Sequence, residues 1–417
     1  MKDLLIPLFA VFASVGIQAQ TYKLTDLEAQ FLQQNTQLIA SKFNINRSEA
    51  EIVQEKLWNN PTLSISEVNL WKTYQVDQQP FLIGKYGKNQ QISVELEQLI
   101  ETAGKRKKRV AIKELEKNST VFEYEELMRQ LRKDLRLNYY QLQRINQEEI
   151  QLNEIVNLFT QLKDQYYRQV QLKNIAQADY YRVQTELINF KKEQIDLVNQ
   201  RIQVLNQLRI LTHNSGLEVD QLSFSQSTNN LLAKLPLDIF QIAKNQNIQI
   251  RHQANELDIA NKHLELAKAQ RKPDLMLQMN YDRGGNIMRD FVGVGVSFEL
   301  PVFNTNKGNI KAAQFGIDQQ KNVQLSVENN LKQTIVQLQS QLQLLEESFN
   351  EWPSDEINEQ KKMIENYKKH LHNKQVTLIE FIDFTRAYRE ATIAYLLLQQ
   401  NYQETFEELQ YIVGQDF

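Results

Sequence analysis

Residues 272–309 read KPDLMLQMNYDRGGNIMRDFVGVGVSFELPVFNTNKGN. From Leu275 the apolar Leu275, Leu277, Met279 and Tyr281 alternate with Met276, Gln278 and Asn280. After Gly284-Gly285, the series Val292, Val294, Val296, Phe298 and Leu300 alternates with Gly293, Gly295, Ser297 and Glu299. A period of two places alternate side chains on opposite faces of a strand, so the stretch predicts a hairpin with one greasy face. The flanking sequence is long, polar and helical and offers no sheet to join.

The partner is a second copy. NPTLSISEVNLW begins at Asn60 and NQQISVELEQLIETAGKR at Asn89, with Ile92, Val94 and Leu96 alternating with Ser93, Glu95 and Glu97. Pro61 corresponds to Pro273, and Gly104-Lys105 to Asn306-Lys307, around a longer first loop. Further on, Ile175-Ala176-Gln177-Ala178-Asp179 aligns with Val376-Thr377-Leu378-Ile379-Glu380, and Leu208-Arg209-Ile210-Leu211 with Leu409-Gln410-Tyr411-Ile412, at a near-constant offset. The pattern predicts a tandem duplication: helix, hairpin, very long helix, tip, helix. The first repeat takes 20–212, with its hairpin at 61–98 and its tip near 173. A polar linker takes 213–235, and the second repeat takes 236–417, with its hairpin at 273–301 and its tip near 374.

In 417 residues there are only 12 Gly and 7 Pro, while Gln, Asn, Leu, Lys and Glu dominate, the bias of long amphipathic helices. A net charge of −3 argues against nucleic acid as a partner. Residues 1–19 carry Lys2, the apolar run LLIPLFAVFASVGI and a small residue before Gln20. That is too short for a spanning helix and reads as a signal peptide, which predicts an exported chain. With no cysteine it carries neither disulfides nor an acylation site. No apolar run after residue 20 has transmembrane-helix length, so membrane residence would be through strands.

A helix is expected over 24–58, where Leu24, Leu27, Phe31, Leu32, Leu38, Ile39 and Phe43 recur until Asn59-Asn60-Pro61 stops it. Trp71, Tyr74, Phe81 and Tyr86 in the first hairpin's connection suit a membrane interface, and equally a surface loop packed on itself. The run Lys105, Arg106, Lys107, Lys108, Arg109 sits at a helix start, where it opposes the helix dipole. Anionic headgroups beside a spanning hairpin would favour it; a solvated charge run reads the same way.

From 105 to 171 no Pro or Gly interrupts, and Leu131, Leu135, Leu142, Ile145, Leu152, Ile155, Leu158 and Leu162 recur at helical spacing. Such a helix is about 100 Å long. The helix at 175–211 covers part of its stripe. In the second repeat, 237–271 copies the first helix, and a second rod starts near Lys307 with Leu331, Ile335, Leu338, Leu342 and Leu345 in heptad register. Pro353 should kink or restart it. A last helix is expected over 378–413.

Four strands of about eight to ten residues can cross a bilayer when tilted, but the smallest membrane barrels need about eight strands, so closure requires several copies. Two copies would fill the interior with side chains, whereas three would leave a lumen, which the small polar Ser93, Gly293, Gly295 and Ser297 favour. The expected fold is therefore mainly α with a small β part. Duplicated long-helix hairpins would build a hollow α-barrel, and four strands per protomer a twelve-stranded β-barrel in a trimer.

The pairs NPTLSISEVNL/KPDLMLQMNY and SVELEQLIETAGKR/SFELPVFNTNKG, and the FELPVFNTNKGNI strand end, make the chain similar to the TolC family of outer-membrane efflux proteins over essentially its whole mature length. The resemblance implies a homotrimer with its β-barrel in outer-membrane lipid and its α-barrel in the periplasm of a Gram-negative cell. Its partners would be a periplasmic adaptor (membrane fusion protein) and an inner-membrane transporter, with the compact size pointing to the cobalt-zinc-cadmium or copper branch. It also implies adaptor docking at Lys173, Asn174, Ile175 and Ala176 and at Lys374, Gln375, Val376 and Thr377, with lysine at both places where the family carries glycine.

No nucleophile elbow, glycine-rich phosphate loop or HExxH stands in the sequence, so neither an enzyme nor a cofactor is expected. His370 and His372, two apart on a helix, point to different sides. Met276, Met279 and Met288 read as a soft-metal path or, more simply, as core, lipid-facing and loop residues. Asp179, Glu380 and Asp383 near the tips suit a carboxylate constriction as well as a helix cap or a solvated face. The function expected is passive conduction in tripartite efflux; the alternative is a soluble periplasmic coiled-coil scaffold or adaptor.

Overall fold

The computed structural model describes residues 21–66, 91–224, 230–283, 288, 290–351 and 354–417. The expected signal peptide, Trp71, Tyr74, Phe81, Tyr86, Gly284, Gly285 and Pro353 lie outside the described residues. The helices are α1 (Leu24–Gln34), α2 (Thr36–Glu55), α3 (Lys105–Gln171), α4 (Gln177–Thr212), α5 (Ile239–Gln246), α6 (Ile248–Ala269), α7 (Lys307–Glu351), α8 (Ser354–His372) and α9 (Leu378–Val413). The strands are β1 (Thr62–Ser66), β2 (Ile92–Ile100), β3 (Leu275–Arg283) and β4 (Asp290–Ser297). With no Pro or Gly inside it, α3 runs unbroken for 67 residues, and the second rod is described as α7 up to Glu351 and α8 from Ser354. α4 and α9 both have 36 residues and begin and end 201 positions apart, at Gln177 and Leu378 and at Thr212 and Val413.

Two expected helices are broken. The one expected over 24–58 divides at Asn35 and ends at Glu55, and the one expected over 237–271 divides at Asn247. The physical reason is the same in both. Each asparagine leaves the helical region, with ψ of 115° and 125°. Asn35 Nδ2 then donates to Leu211 O at 3.0 Å, and Asn247 Nδ2 to Ile412 O at 2.7 Å. Both acceptors are carbonyls in the last turn of a long helix, α4 or α9, which has no intrahelical donor left for them. Asn247 Oδ1 also caps α6 by accepting from Ile250 N at 2.9 Å.

The chain folds as two compact units: residues 1–36, 129–235 and 338–411 form one, and 37–128, 236–337 and 412–417 the other. The second holds the sheet, antiparallel throughout in the order β1-β2-β3-β4. Its middle pair joins the two hairpins, with Ile92 opposite Arg283 and Ile100 opposite Leu275. The greasy hairpin's missing partner is thus the other hairpin of the same chain. β1 is described over five residues, and the other strands over eight or nine.

The first unit is built on the α3 stripe. Leu135, Leu142, Ile145, Leu152 and Phe159 are fully buried, and Phe159 lies 5.1 Å from the Phe190 ring and 6.0 Å from that of Phe381. The segment expected to be a polar linker packs Leu217, Val219, Leu222 and Leu231 into this unit. Tyr402, 1% exposed, holds it in place: its hydroxyl accepts from Leu231 N at 2.8 Å and donates to Glu346 Oε2 at 2.7 Å. Burial first, and then the Glu346 carboxylate, push this phenol up to about 12. Tyr402→Phe should cost about 1–3 kcal/mol in urea unfolding at neutral pH, because the buried Leu231 amide loses its acceptor. The wild type should also lose stability as pH rises from 10 to 12, where the unfolded phenol ionises and the folded one resists; the phenylalanine variant should lose less, keeping only the share of the other raised phenols such as Tyr140.

Candidate functional site

Strand register sorts the sheet into two faces. Leu63 and Ile65 of β1 stand opposite Leu96 and Val94 of β2, which oppose Met279 and Tyr281 of β3, which oppose Val294 and Val292 of β4. Ile92, Ile100, Leu275, Leu277 and Val296 extend this face, and Gln98 and the end pair Arg283 and Asp290 are its polar exceptions. Its aliphatic side chains are uncovered within the chain: Ile65 is 63% exposed and Val294 85%. The other face is mainly small and polar, with Ser64, Ser93, Glu95, Glu97, Gln278, Asn280, Gly293 and Gly295, and has Leu99, Met276 and Phe291 as its apolar members. Gln278 Nε2 donates to Glu97 Oε1 at 2.7 Å there. Among the described residues β1 and β4 each have one neighbouring strand, so both outer edges are open.

The helix tips are two turns of the same kind. Lys173 and Lys374, with φ of 61° and 58°, follow α3 and α8 in the left-handed region. Asn174 N donates to Gln169 O and Lys173 N to Val170 O, both at 2.9 Å. At the second tip Gln375 N donates to His370 O at 2.9 Å and Lys374 N to Leu371 O at 3.1 Å. These paired bonds close a Schellman turn, whose left-handed position usually holds glycine. Ile175 and Val376 are half-buried, while Asn174, Ala176, Gln375 and Thr377 are exposed. The helices leaving the tips start differently. Thr377 and Glu380 form a capping box on α9, Thr377 N donating to Glu380 Oε2 at 2.7 Å. Those bonds hold the Glu380 carboxyl below its usual range. α4 begins at Ala176 with no side-chain cap.

The chain matches no protein-family profile and no curated protein sequence. Its structure matches those of solved proteins. CusC, whose crystal structures describe conformational changes accompanying folding and transmembrane channel formation, superposes with a TM-score of 0.75 at 15% identity, over 100% of this chain and 99% of that one. The Campylobacter jejuni CmeC outer-membrane channel gives 0.74 at 14% identity, over 94% of this chain and 85% of that one. The open state of the Neisseria gonorrhoeae MtrE outer-membrane channel gives 0.71 at 16%, over 94% and 89%. The fold is that of the outer-membrane channels. It is the fold that the resemblance to the TolC family implied.

Within this channel fold, the sheet unit also explains how a basic run can start α3. Lys105 is buried, its Nζ donating to Lys272 O at 2.7 Å and pairing with Asp274 at 2.8 Å. Arg109 forks onto Glu101 at 2.6 and 2.8 Å and reaches Glu55 at 2.5 Å. Arg106 stacks on Trp58, 3.8 Å from the ring centroid. Carboxylates and an aromatic face thus offset the dipole's opposition, which leaves exposed Lys107 and half-buried Lys108 as the outward part of the cluster.

Of the three candidate constriction carboxylates, Glu380 is the cap just described and Asp179 faces Arg182 at 3.7 Å. Asp383 is exposed and lines a groove of about 590 Å³ between α4 and α9. His370 bonds Gln375 through Nδ1, and among the described residues no group of three or more His, Asp or Glu is placed to hold a metal ion. Met276 and Met279, three apart on one strand, point to opposite faces, and Met288 lies outside the strands. They form no common path.

The residues that sequence reasoning missed are charged and buried. Arg136 pairs with Glu28 and Glu407 at 2.5 and 2.7 Å, and Tyr140 donates to Glu407 at 2.9 Å. Desolvation and the Glu407 carboxylate push this phenol far up. Arg389, 3% exposed, joins Glu193 on α4 and Gln151 on α3. Arginines inside otherwise apolar helix stripes were the available signal.

Proposed function

We propose that the chain is the outer-membrane component of a tripartite efflux system. In this reading three copies, each a tandem repeat of 20–212 and 236–417, share one twelve-stranded barrel in outer-membrane lipid. Their long helices extend into the periplasm, and the Lys173 and Lys374 turns meet an adaptor that is coupled to an inner-membrane transporter. Export through it is passive. The observation that carries this reading is the sheet: one face apolar and uncovered, the other polar, and both edges open. Four strands leave unpaired backbone groups that hydrocarbon cannot satisfy, so the sheet is complete only when copies join edge to edge. Lys107 and Lys108 then lie where anionic headgroups begin, and Asp179, Glu380 and Asp383 stand near the narrow end of the conduit.

A soluble scaffold would leave that apolar face in water, at odds with the size of exposed patch that soluble proteins tolerate. Single-channel recording in planar bilayers tests the proposal. Purified chain should open discrete, long-lived conductance steps and require detergent to stay in solution. A chain that runs as a water-soluble monomer and opens no step would overturn it.

A further inference from the structure

We propose that the two helix tips bind an acidic protein surface, with Lys173 and Lys374 as the anchors for its carboxylates. This rests on the channel reading above, which brings the tips against an adaptor, and it gives that partner a charge.

The charge distribution points to it. The chain as a whole carries −3, yet residues 165–178 and 366–379 contain Arg168, Lys173, Lys368, Lys369 and Lys374 and no carboxylate. All five are exposed, and among the described residues none has an ion pair. The nearest acids are engaged, Asp179 with Arg182 and Glu380 with the Thr377 cap. Cations elsewhere in this unit, such as Arg136, Arg386 and Arg389, are matched by carboxylates. The tips are left with positive charge that no ion pair among the described residues neutralises.

Backbone conformation sharpens the argument. A non-glycine residue in the left-handed region carries a steric penalty, and the bonds that close the turn are main-chain bonds that glycine would make equally well. Lysine stands at that position in both turns, 201 residues apart, with φ of 61° and 58°. The side chain adds nothing to the turn, so its value lies in what it reaches.

The surroundings favour a protein over a lipid surface. Beside the tips, the α4/α9 groove is lined by Tyr181, Thr185, Ile379 and Ile382, with Asp383 and the paired Arg386 and Glu186 also on its wall and Arg182 held by Asp179. Tyr181 and Ile379 are exposed. An apolar seat beside the unpaired tip cations matches apolar and acidic side chains at set positions on a protein, whereas a headgroup layer has no register to match.

The test uses the full chain in detergent and three probes: a helical hairpin peptide with three glutamates in its turn, the same hairpin with three lysines, and phosphatidylglycerol-containing vesicles. The glutamate hairpin should bind, more weakly as salt rises, and the lysine hairpin should not. Lys173→Glu with Lys374→Glu should weaken binding about tenfold, and the double arginine variant should retain it. Lys173→Gly with Lys374→Gly should weaken binding by several-fold, less than the glutamate pair, while its melting temperature holds or rises, a split that a purely structural role would not produce. Equal binding of both hairpins, or unchanged binding by the glycine variant, would overturn the inference. Binding to vesicles but not to the glutamate hairpin would overturn it in favour of lipid. A wild type that opens conductance steps yet ignores the glutamate hairpin sinks the acidic partner alone and leaves the channel standing.

Discussion

Lysine in place of Val294 should keep the chain out of a bilayer. Val294 lies in the interior of β4, 85% exposed, at the end of a row that crosses all four strands: Leu63, Leu96, Met279, Val294. If this face meets hydrocarbon, an ammonium there costs about 2–4 kcal/mol at the bilayer midplane in each copy, and three copies would carry it together. That is comparable to the whole stability of a typical domain, about 5–15 kcal/mol. The control is Gln278→Lys on the opposite face, where the new cation would stand beside Glu97, now 2.7 Å from the Gln278 amide. Reconstitution into liposomes should therefore succeed for the wild type and for Gln278→Lys and fail for Val294→Lys. Planar-bilayer conductance should follow the same order. If Val294→Lys inserts and conducts like the wild type, the greasy face is not a lipid face.

The sheet was legible because its two faces meet different surroundings, so every second residue of Val292–Val296 and Leu277–Tyr281 had to differ. The ends of α3 and α9 were legible for a related reason. Nothing between Lys105 and Gln171 can break a helix, and the tips pair at one offset in sequence and in backbone. What stayed hidden depends on residues far away in the chain. Asn35 breaks its helix because a carbonyl 176 positions later needs a donor, and Asn247 does so for one 165 positions later. No local pattern announces either, although an asparagine ahead of an apolar helix start, as in Asn247-Ile248, is a usable cap signal. The basic run at 105–109 shows the converse. Its charges suggested an outward patch, but Glu55, Glu101 and Asp274 draw Arg109 and Lys105 inward, and Trp58 takes Arg106. Lysine for glycine at the tips was visible as a departure from the family; that the backbone keeps its left-handed turn there was not.

Arg389→Met should destabilise the first unit by about 3–5 kcal/mol, seen as a lowered urea midpoint of the purified chain. Arg389 is 3% exposed and sits where three helices meet: Nε donates to Glu193 Oε1 on α4 at 2.8 Å, and an Nη donates to Gln151 Oε1 on α3 at 2.7 Å. Glu148, 3% exposed and also on α3, lies 3.6 Å away and receives Arg144 as well. Methionine fills the volume but leaves Gln151 Oε1 and part of the Glu148 charge without a buried donor, while Gln151 Nε2 keeps Thr392, and that desolvation, not the lost attraction, is the large term. An exposed pair gives the contrast. Asp179 and Arg182 stand 3.7 Å apart with side chains 35% and 53% exposed, so Asp179→Asn should shift the same midpoint by no more than about 1 kcal/mol. Adding Glu193→Leu to Arg389→Met should recover part of the loss, since it removes a charge that the first change stranded. If Arg389→Met unfolded at the wild-type midpoint, α3, α4 and α9 would be held by the Phe159 core alone, and the buried charges would need another explanation.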